Sequence, residues 1–424
     1  MLSTQEALDA VLGAARALGR HETVDTLAAN GRVLAADVIA TLDVPPMDTS
    51  AMDGYAVRLS DLRDAETVLP VSQRIPAGHA PAPLAEGTAA RIFTGAPVPP
   101  GADAIVMQEQ CEAREDGKVV IRHMPAAGEF INRQGADIRR GSVILAAGTR
   151  LRAQSLGLAA SVGIAKLQVA RRLRVAVFFT GDELTMPGEP LREGGIYNSN
   201  RFVLRSLLEN LGCEMTDYGI VPDNLAATRA ILRDAARGND LIITSGGVSV
   251  GEEDHVKPAV EAEGRLNLWQ IALKPGKPLA YGEVNRPRGA SNATNATDAT
   301  DANREHGAGG DTAHFIGLPG NPVSSFVTFL LFVRPFILRL QGVADVAPRR
   351  IAMRADFTQK KADRRNEFVR ARVNDQGGLE AFPNQSSAVL TSTVWGDGLI
   401  DNPPGHRIEA GQTVAFLPFS DLLY

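Results

Sequence analysis

Three short, mostly apolar runs, LRVAVFF (173–179), LIITSGG (241–247) and FIGLPGNP (315–322), each lead into a polar or glycine-rich turn. They limit what this chain can fold into more than any other feature. A strand with apolar residues on both faces has to be covered on both faces, which a parallel sheet flanked by helices achieves. The intervening stretches agree. Residues 198–211 place Phe202, Val203, Leu207, Leu208 and Leu211 at helical spacing, with Gly212 as the stop signal. Residues 215–221 read as a strand and 225–236 as a helix. Region 173–343 therefore predicts one α/β domain with a mainly parallel sheet. Ligands of such sheets bind beyond the carboxyl ends of the strands. TGDEL (180–184), SGGVSVG (245–251) and LPGNPVSS (318–325) all fall there.

The rest of the chain has a different texture. Leu8, Val11, Leu12, Ala15 and Leu18 predict an amphipathic first helix. Strand-like segments at 67–72, 88–94, 104–108 and 118–122 alternate with Pro/Gly turns, and 153–162 reads as a second helix. After residue 343 the α/β alternation stops. Short strands at 351–357, 367–373 and 414–418 predict a small β-barrel or sandwich. A length of 424 residues allows two to four domains, so the fold class is multidomain α/β. Residues 286–314 contain no Leu, Ile, Val, Phe or Met. Such a segment cannot offset its ordering entropy by burial and is expected to be a disordered insertion between two strands.

Several function classes drop out. Lys and Arg number 44 against 49 Asp and Glu, a net charge of −5 with no basic run, which argues against nucleic acid. Cys111 and Cys213 are too few for a disulfide framework or a four-cysteine zinc site, and point to a reducing, cytoplasmic location. No signal peptide is visible. The most apolar stretch, 326–340, is interrupted by Arg334 and Pro335 and falls short of a bilayer span, so no membrane partner is expected.

The candidate chemistry lies in loops. SGGVSVG combines hydroxyls with glycines that let backbone amides approach an anion. LPGNPVSS starts a helix whose free amides and serines suit an anion. KPGKP (274–278) sets two lysines around a rigid turn, able to aim both at one oxyanion. Asp53, Asp137, Asp182, Glu183, Asp223 and Asp254 sit where carboxylates can hold Mg²⁺ against phosphate oxygens. Each of these loops also reads as an ordinary turn, and each carboxylate as a turn former or helix cap. The seven histidines show no metal-ligand spacing, and His306 and His314 fall in the insertion. Together the residues describe an α/β enzyme that binds a phosphorylated ligand and a second oxyanion, with Mg²⁺ as the expected cation.

At these motifs the sequence resembles the molybdopterin molybdenumtransferases of the MoeA type, related to the gephyrin E domain. The resemblance runs through PPMDTSAMDGYAV (45–57), RIFTGAPVPPGADAIVMQE (91–109), GADIRRGSVIL (135–145), FFTGDEL (178–184), YNSNRFVL (197–204), SGGVSVGEEDHVK (245–257), ALKPGKPLAYG (272–282) and GLPGNPVSSF (317–326). It implies an elongated homodimer of four-domain subunits. The domains would be 1–44 with 138–172, an inserted β-rich lobe at 45–137, the molybdopterin-binding domain at 173–343 and a β-barrel at 344–424. It also implies a reaction in which adenylylated molybdopterin binds with Mg²⁺, molybdate enters, AMP leaves and the metal remains on the dithiolene.

Carried over by motif, Asp53, Thr94, Asp137 and Glu183 would be catalytic, the first three facing Glu183 from the other subunit across a shared cleft. Ser245, Gly246, Gly247, Asp223, Asp254, Pro319, Gly320 and Asn321 would bind the cofactor. Lys274, Lys277, Ser324, Arg365 and Ser387 would bind molybdate, and Glu183 with Asp53 would hold Mg²⁺. The sequence departs from the family at Ala136, usually Glu, at Asn198, often Asp, and before Arg365, where Arg364 replaces the usual glycine and becomes an alternative. Expected partners are a molybdopterin adenylyltransferase and downstream cofactor-maturation proteins. Two other readings share the fold: an adenylyltransferase, which leaves 1–170 and 349–424 without a role, and a non-catalytic scaffold, which would not need Asp53, Glu183 and both lysines.

Overall fold

Ser3 starts the first helix, α1 (Thr4–Ala14), through a capping box: its hydroxyl accepts from the Glu6 amide, and the Glu6 carboxylate accepts from the Ser3 amide. The computed structural model describes residues 2–248, 254–287 and 311–423. The stripe of Ala7, Val11 and Ala15 on α1 packs into the core that it shares with the central domain. Beyond α1 the chain pairs with segments far downstream. His21–Asp25 lies antiparallel to Lys166–Ala170, Val38–Ile39 to Val143–Leu145, and Thr49–Ser50 to Ile131–Asn132. A separate six-stranded sheet, running from Gly54–Val57 to Lys118–Ile121, is inserted between these pairings. Helix α2 (Ala153–Ser161) packs Ala159 into a small core with Leu34, Leu151, Leu167 and Val169.

The apolar runs form the inner strands of the central domain. Its strands are β1 (Arg174–Thr180), β2 (Glu214–Val221), β3 (Leu241–Ser245), β4 (Gly264–Trp269), β5 (Leu273–Lys274), β6 (Ala280–Asn285) and β7 (Thr312–Leu318). All but β5 make one sheet in the order β2-β1-β3-β7-β6-β4. The first four strands are parallel, and β6 and β4 add an antiparallel edge. Sequence did not anticipate β4, whose glycine and polar residues interrupt the apolar pattern, while β6 is the strand expected before the insertion and runs antiparallel to β7. Strand residues alternate between two cores, because successive side chains point to opposite faces. Val175, Val177 and Phe179 face α3 (Ser199–Asn210) and the long helix described below. Ala176 and Phe178 face α4 (Leu225–Gly238) and α5 (Val256–Glu263).

Helix α6 (Pro322–Leu340) corrects one expectation. Arg334 and Pro335 do not break it. A π-turn over Phe329–Val333 widens the helix just before Pro335, which accommodates the missing proline N–H and its ring. Arg334 donates to the Asp421 carbonyl at 2.8 Å. Although α6 has the length and hydropathy of a membrane span, 89% of that window is buried inside the protein, so it is a core helix here.

The C-terminal strands are β8 (Ile351–Arg354), β9 (Asn366–Val373), β10 (Leu379–Ala381), β11 (Gly398–Asn402) and β12 (Thr413–Pro418). They pair in the circuit β8-β12-β11-β9-β10, and a bridge between Ala355 and Leu379 closes it into a small barrel. The central strand β5 joins this barrel by lying parallel to β9, Lys274 opposite Glu367.

Residues 288–310 of the expected insertion lie outside the described residues, but its ends are ordered. The Arg286 amide donates to the Asp311 carbonyl at 2.6 Å, and β7 begins at Thr312. His314, which sequence placed in the insertion, is on β7, its Nδ1 3.3 Å from the Tyr281 hydroxyl and its ring edge-on to Phe336. Because Asn285 and Thr312 are cross-strand neighbours, replacing 288–310 by a short turn should leave the fold intact. We expect a thermal midpoint equal to wild type or raised by about 2–4 °C, since a shorter loop costs less to close. A fall of more than roughly 5 °C would count against this placement.

Candidate functional site

A cavity of about 440 Å³ opens beyond the carboxyl ends of β1, β3 and β7. Glu183, Asp223, Ser245, Gly246, Gly247, Asp254, Pro319, Gly320, Asn321 and Ser324 all line it, as the sequence reading requires of one site. A larger cavity of about 770 Å³ beside Leu27, Leu156 and Ala160 is mostly apolar and contains only Asp25 as a charged group. The glycine loops and carboxylates singled out from the sequence converge on the first cavity. The last residues of SGGVSVG, 249–251, lie outside the described residues.

Local geometry explains the loop sequences. Gly246 has φ +104°, and a Cβ there would collide with the Thr180 carbonyl, so the loop after β3 can press against the end of β1 only as glycine. Gly276, at φ +120°, likewise fits the KPGKP turn against Thr328 of α6.

Asn200 was not found by sequence. Its Nδ2 donates to Ser245 Oγ at 2.9 Å and to the Gly320 carbonyl at 2.7 Å, while Ser245 Oγ donates to the Pro319 carbonyl at 3.0 Å. One buried amide thus ties the SGG loop to the LPGNP loop. The available signal was its place on the buried stripe Asn200, Leu204, Leu207, Leu208, Leu211, where a polar residue has to have a partner.

Polar atoms without partners concentrate at this cavity. Thr180 Oγ1, Asn198 Nδ2, Asn200 Oδ1 and Asp223 Oδ1 are buried with no hydrogen-bond partner among the described residues, and all four residues line it. Both amides are oriented by their other atom: Asn198 Oδ1 accepts from the Arg201 amide, and Asn200 Nδ2 donates to a carbonyl. Each such group costs about 1–3 kcal/mol when left unmet, so their convergence marks a site shaped for a polar ligand. Burial pushes the Asp223 carboxyl above its usual range, His255 opposes that shift, and the negative charges of Asp182, Asp254 and Glu183 add to it. Among the described residues no three His, Cys, Asp or Glu side chains stand close enough to share one metal ion.

The cations are arranged differently from the sequence expectation of open lysines. Lys274 Nζ lies 2.7 Å from Glu367 Oε1 and 3.3 Å from Asp363 Oδ2. Burial disfavours the Lys274 charge, but the hydrogen bonds that its ammonium donates to Glu367 and Asp363 outweigh it and hold the amine above its ordinary range. Arg365 forms a two-pronged pair with Asp363, at 3.0 Å through Nε and through the terminal nitrogen. That Arg365 hydrogen bond holds the Asp363 carboxyl well below the carboxylate range. Lys277 and Arg364 are exposed and hold no ion pair among the described residues.

The start of α6 is also less open than expected. Pro322 has no N–H, and the Val323 amide donates to the Ser387 carbonyl at 3.0 Å. Ser387 therefore meets the site through its backbone, and Ser324 is left to face the cavity.

Asp53, Thr94 and Asp137 do not line this cavity within one chain. Asp53 Oδ1 accepts from the Thr94 amide at 2.8 Å and from its hydroxyl at 2.7 Å, and these bonds hold the Asp53 carboxyl below its usual value. Asp137 is exposed, its amide donating to the Val44 carbonyl.

Comparison with known proteins covers nearly the whole chain. Family profiles match for the MoeA N-terminal region (domain I and II) at residues 2–163, a probable molybdopterin binding domain at 176–339 and the MoeA C-terminal region (domain IV) at 352–419. The chain is 41% identical over 406 residues to a molybdopterin molybdenumtransferase of Haemophilus influenzae, with 93% of each chain covered. It is 38% identical over 417 residues to molybdopterin molybdenumtransferase 2 of Mycobacterium tuberculosis, covering 95% of this chain and 96% of that one. The crystal structure of a molybdopterin biosynthesis MoeA protein from Pyrococcus horikoshii OT3 superposes with a TM-score of 0.82 at 26% identity, over 99% of this chain and all of the other.

The Asp223 environment makes a testable demand. A carboxyl raised on folding destabilises the protein above its folded pKa, and the penalty disappears as falling pH protonates it in both states. Asp223→Asn is therefore expected to raise the thermal midpoint near pH 7.5, with a margin that shrinks towards about pH 4. A margin that is constant or grows on acidification, in melts across that range, would contradict this electrostatic account.

Proposed function

Because the chain belongs to the MoeA family of molybdopterin molybdenumtransferases, we propose that this transferase inserts molybdate into adenylylated molybdopterin with release of AMP. One observation carries the reading. The KPGKP turn joins an acid-lined, glycine-looped cavity to a cluster of cations, with Lys274 at one end in the cluster and Pro278 at the other lining the cavity. A phosphorylated ligand and a separate oxyanion can thus sit side by side.

Each half has a physical role. The glycines of the SGG and LPGNP loops let backbone approach phosphate oxygens, and Asn200 holds the two loops at one spacing. The orphaned amide atoms of Asn198 and Asn200 are complementary in kind to the donors and acceptors of a pterin edge. Lys274, Lys277 and Arg365 offset the charge of molybdate, and the planar fork of Arg365 suits an oxyanion. Residues present fit Mg²⁺: Asp223 carries a buried oxygen with no partner among the described residues, with Glu183 and Asp254 on the same cavity wall. One or two carboxylates with substrate phosphates is the usual way this ion is held. When bound it would offset the charge on the phosphoanhydride that is cleaved. These carboxylates keep the cavity wall anionic and restrict close phosphate approach to the glycine loops.

The reading takes Asp53, Thr94 and Asp137 from a second copy of the chain to close the cavity. In support, the Asp53–Thr94 pair is formed and exposed but does not line the cavity of its own chain. The reaction belongs in the cytoplasm. Burial pushes the thiols of Cys111 and Cys213 up to about 12, so neither is a ready nucleophile.

Two experiments test this function. Purified protein given adenylylated molybdopterin, Mg²⁺ and molybdate should release AMP in proportion to molybdate, as followed by nucleotide chromatography. Release that ignores molybdate, or none, would overturn the assignment. Lys274→Ala should raise the half-saturating molybdate concentration about tenfold or more, yet change adenylylated molybdopterin binding by less than about threefold. Equal losses would move the oxyanion away from KPGKP.

A further inference from the structure

Of the three cations assigned to the oxyanion, Lys274 and Arg365 are already compensated by carboxylates. Glu367, Lys274, Asp363 and Arg365 form an alternating chain, with contacts of 2.7, 3.3 and 3.0 Å and two charges of each sign. Both carboxylates come from the same short segment as the two arginines, DRRNEF (363–368). The pairing of β5 with β9 brings them into place, setting Lys274 opposite Glu367. Glu367 is 5% exposed and also accepts from Gln359 Nε2 at 2.6 Å. Such a cluster differs from an ordinary surface pair, whose contribution is about 0–1 kcal/mol and which leaves its cation open to solvent anions.

We propose that Asp363 and Glu367 set the affinity of this site as an internal counter-ion latch: an oxyanion reaches Lys274 and Arg365 only by displacing their carboxylates. The inference rests on the reading of Lys274 and Arg365 as the oxyanion site. No bond forms or breaks and no proton moves; ion-pair partners are exchanged. A monoanion that offers a single contact cannot replace both carboxylates. A tetrahedral dianion can meet the ammonium and both prongs of the guanidinium at once. The latch keeps the cation pair from filling with abundant small anions and holds both side chains in position between turnovers.

The sign of the effect separates the latch from a merely structural role. Removing one negative charge a few ångströms from a bound anion strengthens its binding, whereas disordering the site weakens it. Asp363→Asn retains a side-chain oxygen that can accept from Arg365 but loses the charge. In calorimetric titrations of the full chain, its half-saturating molybdate and sulfate concentrations should both fall, by roughly tenfold. Glu367→Gln should move them in the same direction, and it decides the matter if Asp363→Asn fails to fold. Lys274→Ala should weaken oxyanion binding by about tenfold or more.

Unchanged or weaker oxyanion binding in the carboxylate variants, with Lys274→Ala still weakening it about tenfold or more, overturns the latch and leaves the oxyanion site standing. If wild type and both carboxylate variants bind neither oxyanion, or Lys274→Ala binds as well as wild type, the reading of the site fails and the latch falls with it.

Discussion

Burial of helix α6 is the constraint on which the rest of the structure depends. Its apolar residues share one core with Val177 and Phe179 of β1, Ala7 and Val11 of α1, and Phe368, Leu399 and Leu417 of the barrel. Phe326 packs edge-on against Phe419 at 5.4 Å. Each fully buried Leu or Phe contributes about 1.5–3 kcal/mol, so this helix fastens the N-terminal helix and the C-terminal barrel to the central domain. Its first turn is also a wall of the cavity. The element that holds the modules together therefore sets the position of Ser324 and, through Thr328, that of the KPGKP turn.

That anchoring lets the site tolerate local cost. Four buried polar atoms around the cavity have no hydrogen-bond partner among the described residues, and Asp223 is held where its charge is disfavoured. Groups kept in such a state by the surrounding structure reserve their interactions for a ligand, and functional sites typically sacrifice local stability in this way. The cation side follows the opposite rule. Lys274 and Arg365 already hold carboxylate partners, so the site is polar on one side through groups unmet among the described residues and on the other through groups in ion pairs.

Much of the central fold was legible because its signals are local. The both-faced apolar runs specify inner parallel strands, and the helical stripe ending at Gly212 specifies α3. The glycine loops were legible because only glycine permits the backbone conformation at Gly246. The edge strand β4 was not, since it has a weak pattern and is a strand mainly because β6 offers an edge to pair with. The continuity of α6 past Pro335 was hidden for a similar reason. Proline normally ends a helix, and only the π-turn, stabilised by surrounding packing, allows it to continue.

By itself, then, the sequence determined the order of strands and helices, the identity of the loops at the strand ends and the inventory of charges available there. Only the tertiary structure decided which of those charges meet. Lys274 and Glu367 are far apart along the chain, and their encounter depends on the register of β5 against β9. Asn200 reaches Gly320 because α3 and α6 pack on the same sheet face. Periodicity and turn chemistry act over a few residues and can be read from neighbours. Ion pairs and hydrogen bonds act over about 3 Å in space, and that proximity exists only once the chain has closed.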